Sequence, residues 1–245
     1  MTNMACNINR VRQRLADAAR AADRSPAAIT LVAVSKTRSA ACIREAFAAG
    51  LHDYGENYLQ EALEKIAELA DLDIRWHFIG PIQSNKTRAI AEHFHWVHTI
   101  DRLKVAERLS AQRPAHLGPI DVCIQVNIDA EDSKSGVSPA ALPALAEAVV
   151  ALPNLRFRGL MTIPAPAANS ETQRTSFFYL AQLLANLRTL SPALASLDTL
   201  SMGMSDDLEA AVLEGATLVR VGTALFGARP KPGDNPHNTN AENPS

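Results

Sequence analysis

The chain has 245 residues, 47% of them hydrophobic, with 24 Lys and Arg against 26 Asp and Glu and a formal net charge of -2. The length is close to the roughly 250 residues of one α/β barrel, the apolar fraction is ample for a full core, and the balanced charge gives no pull toward nucleic acid or an anionic membrane. Cys6, Cys42 and Cys123 form no CxxC pair, which argues against a zinc site, and with no leader pattern and no apolar run near the ~20 residues of a spanning helix, a soluble cytoplasmic protein is expected.

Residues 7–23 set Ile8, Val11, Leu15, Ala18 and Ala22 at three- and four-residue spacings, which predicts an amphipathic leading helix stopped by Ser25-Pro26. Residues 29–36 follow as a nearly unbroken apolar and β-branched run, the pattern of a buried parallel strand, and Lys36 stands at its mouth. Residues 40–49 read as a short helix closed by Gly50, 52–55 as a brief strand leading into Glu56-Asn57, and 58–70 as a helix. A third strand spans 74–80, a helix 84–93 and a fourth strand 96–100, with Asp101 as N-cap of a helix through Gln112. A fifth strand over 120–128 precedes a helix after Ser138-Pro139. The remaining units are a strand over 155–163, the longest helix over 170–190, a strand over 197–202, a helix over 206–214 ended by Gly215, and an eighth strand over 218–221.

Eight strands alternating with helices inside this length predict a single (β/α)8 barrel over residues 1–229. No GxGxxG supports a dinucleotide fold, and the Pro- and Asn-rich residues 230–245 read as a disordered tail. Barrels carry their chemistry at the carboxyl ends of the strands, with phosphate sites by the loops after strands seven and eight. Ser201-Met202-Gly203-Met204-Ser205-Asp206 and Arg220-Val221-Gly222-Thr223-Ala224 occupy those two places and together resemble an anion cup. A lysine packed at a strand end is cheaper to deprotonate than one on an open surface. Lysine and cup together point to a phosphorylated aldehyde.

The stretch Trp76-His77-Phe78-Ile79-Gly80-Pro81-Ile82-Gln83-Ser84-Asn85-Lys86 is similar, at essentially every defining position, to the signature of the pyridoxal phosphate homeostasis protein family, single-domain relatives of the alanine racemase barrel. Supporting stretches are Val32-Ala33-Val34-Ser35-Lys36, Gly55-Glu56-Asn57-Tyr58, Ser133-Lys134-Ser135-Gly136-Val137, Gly159-Leu160-Met161-Thr162 and Leu200-Ser201-Met202-Gly203-Met204-Ser205. The resemblance implies a barrel binding pyridoxal 5'-phosphate (PLP), with Lys36 as the Schiff-base residue and the Ser201 and Gly222-Thr223 loops on the phosphate. It also implies contacts from Asn57, His77, Met204 and Arg220, the last matching the racemase-type arginine that faces the pyridine nitrogen.

A guanidinium there disfavours protonation of that nitrogen and makes the ring a poor electron sink. After Gly227 the chain offers no second domain to supply a further base, so a monomeric carrier in PLP homeostasis, supplying apo PLP-dependent enzymes, is expected before an enzyme. The alternatives are a PLP-dependent amino-acid racemase and an aldolase forming its Schiff base with a sugar phosphate. Asn57 is read equally as a helix cap, the inward or outward direction of His77 turns on a one-residue register, and Lys86 and Lys134 are expected to hold anions or simply to be solvated. His93, His95 and His98 lack a carboxylate pattern for a metal site and are read as surface and strand residues.

Overall fold

A computed structural model describes residues 4–129, 135–165 and 170–228. The tail over 230–245 and Lys134 lie outside the described residues. Eight parallel strands close into a barrel in sequence order: β1 (Thr30–Val34), β2 (Asp53–Glu56), β3 (Arg75–Phe78), β4 (Trp96–Ile100), β5 (Ile120–Gln125), β6 (Leu155–Met161), β7 (Thr199–Ser201) and β8 (Leu218–Val221), the last pairing with β1. Crossover helices ring the barrel: α2 (Ala40–Ala48), α3 (Leu59–Glu68), α4 (Thr87–His93), α5 (Leu103–Gln112), α6 (Leu142–Val150), α7 (Ser170–Leu190) and α8 (Leu208–Leu213). A last turn, α9 (Thr223–Phe226), follows β8. Each helix turns an apolar stripe onto the outer faces of the strands, as Ile43 of α2, Ile90 of α4 and Val149 of α6 do, all fully buried.

The leading helix α1 (Met4–Ala21) carries Ile8, Val11 and Leu15 on its buried face. Its polar groups support the loops at the carboxyl ends of β7 and β8. Asn7 donates to Leu225 O of α9 at 3.0 Å, and Arg14 donates to Ser205 O at 2.9 Å while pairing with Glu209 of α8.

Three expectations shift locally. β1 ends at Val34, so Lys36 stands in the turn beyond the strand rather than at its last residue. The helix expected over 84–93 divides into a 3-10 turn at Ser84–Lys86 and α4, with Lys86 exposed. Asp101 does not cap α5: Arg102 takes that position, and the Asp101 carboxylate accepts from Arg102 Nη1 at 2.7 Å instead.

Candidate functional site

At the carboxyl ends of the strands, Val34, Lys36, Asn57, Ile79, Ile163 and residues 204–206 surround a cavity of about 210 Å3, which Arg220, Gly222 and Thr223 complete. A second hollow of about 250 Å3 adjoins it through Asn57, Ile79 and Ile163 and reaches Thr99, Gln125 and Ser135. Ser205 accepts from Ala224 N at 3.3 Å through its Oγ and so ties the β7 loop to α9. Gly203 makes that loop possible: its φ is +93°, and a Cβ there would lie 2.6 Å from Ala211 Cβ.

The backbone on both sides of Lys36 is fixed from α3. Lys65 is 6% exposed and Glu56 0%. Lys65 Nζ donates to Ser35 O at 2.8 Å, to Glu56 Oε1 at 2.8 Å and to Glu61 Oε1 at 2.5 Å. Ser35 Oγ donates to Glu56 Oε1 at 2.6 Å, and Thr37 N to Glu61 Oε1 at 2.6 Å. Thr37 has φ +63°, a left-handed conformation rare for a β-branched residue and held here by that bond. Burial pushes the Glu56 carboxyl above its ordinary range against the pull of Lys65.

Beneath the cavity a second polar group fills the barrel interior. Arg220 Nη1 donates to Ser201 Oγ at 2.6 Å and Nη2 to Thr162 O at 2.9 Å. Ser201 Oγ lies 2.7 Å from His98 Nδ1, His98 Nε2 3.0 Å from His77 Nδ1, and His77 Nε2 3.0 Å from Asp53 Oδ1. Asp53 in turn lines a hollow at the opposite, amino-terminal end of the barrel, together with Arg12, His52 and Arg75. Burial pulls Arg220 down to about 10, so it stays cationic at neutral pH. Burial likewise pulls His77 below its ordinary range and His98 well below. Burial also pushes Asp53 up, but His77 and Arg75 outweigh it and hold the carboxyl below its usual range.

Of the residues named from the sequence, Lys36, Asn57, Met204, Arg220, Gly222 and Thr223 meet in one cavity. His77 and Ser201 are not among its lining residues; both are fully buried in the interior chain below. His77 therefore points inward, but toward Asp53 and His98. His98, read as an ordinary strand residue, lies in the same chain. Asn57 does not cap α3, whose N-cap is Tyr58. Ser205 falls in the stretch read as an anion cup without having been singled out, whereas Ile79 and Ile163 in the cavity wall were missed, as was the Lys65 clamp, whose only local signal is the i,i+4 spacing of Glu61 and Lys65. Among the described residues no His, Cys, Asp and Glu group could hold a metal ion.

A closed α/β barrel with a lysine just past β1 and glycine-hydroxyl loops after β7 and β8 is the class to which the comparisons also lead: residues 4–230 match the family described as alanine racemase, N-terminal domain. The pyridoxal phosphate homeostasis protein of Pseudomonas aeruginosa is 64% identical over 94% of this chain and 97% of its own, and that of Escherichia coli is 52% identical over 94% and 98%. PipY of Synechococcus elongatus, in its structure with PLP bound, is 40% identical with a TM-score of 0.77 over 89% of this chain and all of its own. Alanine racemase from Corynebacterium glutamicum, at 19% identity and a TM-score of 0.67 over 94% of this chain and 62% of its own, shares the fold. The chain belongs to the pyridoxal phosphate homeostasis protein family, within the alanine racemase N-terminal domain class.

Proposed function

We propose that this protein binds pyridoxal 5'-phosphate in the rim cavity, holds it as a reversible Schiff base on Lys36, and serves PLP homeostasis in the cytoplasm as a monomer that supplies apo-enzymes. The observation that carries the reading is the meeting of Lys36 with the Met204 and Gly222-Thr223 loops in one cavity over Arg220. The residues suit the cofactor. Lys36 is a half-buried amine able to condense with an aldehyde, with loss of water, and to be regenerated by hydrolysis or by exchange with another amine. The loops after β7 and β8 would hold the phosphate, with Ser205 in the place first given to Ser201. Asn57 Oδ1 is buried with no hydrogen-bond partner among the described residues, a costly state that a polar ring substituent would relieve.

Bound PLP supplies an electrophilic aldehyde and, in enzymes, an electron sink. With Arg220 facing it, the ring nitrogen would resist protonation and the sink would be weak, so turnover would need two well-placed bases, whereas holding the cofactor needs none. The relatives named for PLP homeostasis, and the one whose structure holds PLP, support the same reading. Protein incubated with PLP and freed of excess is expected to absorb as an imine that borohydride fixes onto Lys36, and Lys36→Ala to lose the band. An unchanged band in Lys36→Ala would refute the covalent assignment.

A further inference from the structure

We propose that Asp53, His77 and His98 form with Ser201 a one-directional hydrogen-bond chain through the barrel interior that positions the Arg220 guanidinium beneath the cofactor cavity. Its direction follows from donor and acceptor counting. The Asp53 carboxylate only accepts, so the proton of His77 sits on Nε2. In a neutral His77, Nδ1 is then an acceptor, which makes His98 Nε2 the donor to it. His98 Nδ1 is left as an acceptor, and it takes the hydroxyl proton of Ser201. The lone pairs of Ser201 thereby face Arg220 Nη1, which donates to them at 2.6 Å.

Every bond points from Arg220 toward Asp53, and none of the connected ring and hydroxyl groups is left without a partner. The opposite arrangement needs a cation in the interior. If His77 were an imidazolium, His98 would donate to Ser201 from Nδ1, Ser201 would accept twice, and its hydroxyl proton would lose this partner. Both histidines are fully buried, and burial favours their neutral forms. The titratable groups facing them are Asp53, Arg75 and Asp121 toward His77 and Arg220 toward His98, while Asp207 and the Cys123 thiol, which burial keeps neutral, face Arg220. Trp96 stacks on His77 with ring centres 5.6 Å apart, holding the ring plane.

A chain polarised in one sense strengthens each of its bonds. Arg220 is thus oriented by a carboxylate at the far end of the barrel rather than by one beside it, which leaves its charge available to the cavity. Asp53, His77 and His98 act through Ser201 and are positioning residues; the inference rests on the PLP reading only for what Arg220 faces.

The direct test needs no cofactor. Nitrogen-15 NMR of the full-length apo-protein is expected to show both histidines neutral with the proton on Nε2, unchanged across the about pH 5 to 8 window in which a free imidazole titrates. A proton on Nδ1 of either ring, or an imidazolium at neutral pH, would overturn the chain. The correct tautomers in a protein that takes up no PLP would sink the functional reading and leave the chain standing. In the PLP-loaded protein, His98→Leu is expected to speed PLP loss about tenfold, the scale of one charge-assisted hydrogen bond, and His98→Gln, which keeps a donor and an acceptor, to stay within about threefold. Equal rates in the two variants would reduce the chain to packing. Should His98→Leu not fold, the wild-type tautomers and the His98→Gln rate decide the matter.

Discussion

Two buried polar clusters hold the site from opposite faces of the barrel wall. Outside it, between β1, β2 and α3, Lys65 is paired with Glu56 and Glu61 and fixes the backbone on both sides of Lys36. Inside, charge stands only at the two ends of the chain, Asp53 and Arg220, with imidazoles and a hydroxyl between. The outer cluster concentrates opposite charges at contact distance and freezes a turn. The inner one keeps them apart and aims a single side chain. Charge density is tolerated where the task is anchoring, whereas the guanidinium proposed to face a ligand is held by neutral partners.

Removing one partner should therefore cost most in the outer cluster. Lys65→Met leaves Glu56 buried without its counter-ion, and the expected loss is about 3–5 kcal/mol of unfolding free energy, read from the urea midpoint at neutral pH. Adding Glu56→Gln to that variant is expected to recover a large part of the loss, because the uncompensated charge is gone. A cost below about 1 kcal/mol for Lys65→Met, the range of exposed pairs, would show that the clamp is not a desolvated ion pair and would erase the contrast.

A smaller effect is expected where the inner cluster meets the β7 loop. Gly203 O accepts from Arg220 N at 2.9 Å, and the residue combines φ +93° with a blocked Cβ position. Gly203→Ala is expected to cost about 1–3 kcal/mol through backbone strain and overpacking. PLP retention is expected to fall with it, because the loop that moves also lines the cavity. Full stability with full retention would mean that the loop shifts without disturbing Arg220.

The barrel was legible because its signals are local. The strands over 96–100 and 218–221 and the helix over 170–190 have the bounds read from the sequence, each set by apolar period and flanking breakers. Six of the residues named from the sequence do line one cavity, because a barrel gathers the residues just past its strands at one end. The clamp was hidden for the opposite reason: Lys65 meets Ser35 across 30 residues, and nothing in either segment announces the other. The role of His98 was hidden because its partners lie far along the chain, His77 at 21 residues and Ser201 at 103. His98 shares the inner face with Trp96 as alternation predicts, and it is the adjacent Thr99 that the register shift between Val97 and Ile100 lets reach Gly80 O and the second hollow. Ser201 was given to the phosphate by the family resemblance and by its place after strand seven, but it stands one layer lower against His98, and Ser205 lines the cavity.

The finest distinction between the two clusters is the sign of their response to acid. Glu56 has its folded-state value raised, mainly by burial, so the native protein binds that proton more tightly than the unfolded chain does. Its contribution to stability is complete below the unfolded value of about 4.3 and is lost as pH rises through the native value. Asp53 has its value lowered because His77 and Arg75 overcome the effect of burial. Its contribution is present above the unfolded value of about 3.9 and is lost as pH falls through the native value. Urea midpoints followed through this acid range should respond oppositely in two variants. Asp53→Asn is expected to lessen the loss of stability on acidification, and Glu56→Gln to make that loss steeper, because the compensating gain from protonating Glu56 disappears. If both substitutions changed the slope in the same direction, one of the two carboxylates would be in the wrong charge state, and the division between a paired outer clamp and a spaced inner chain would have to be redrawn.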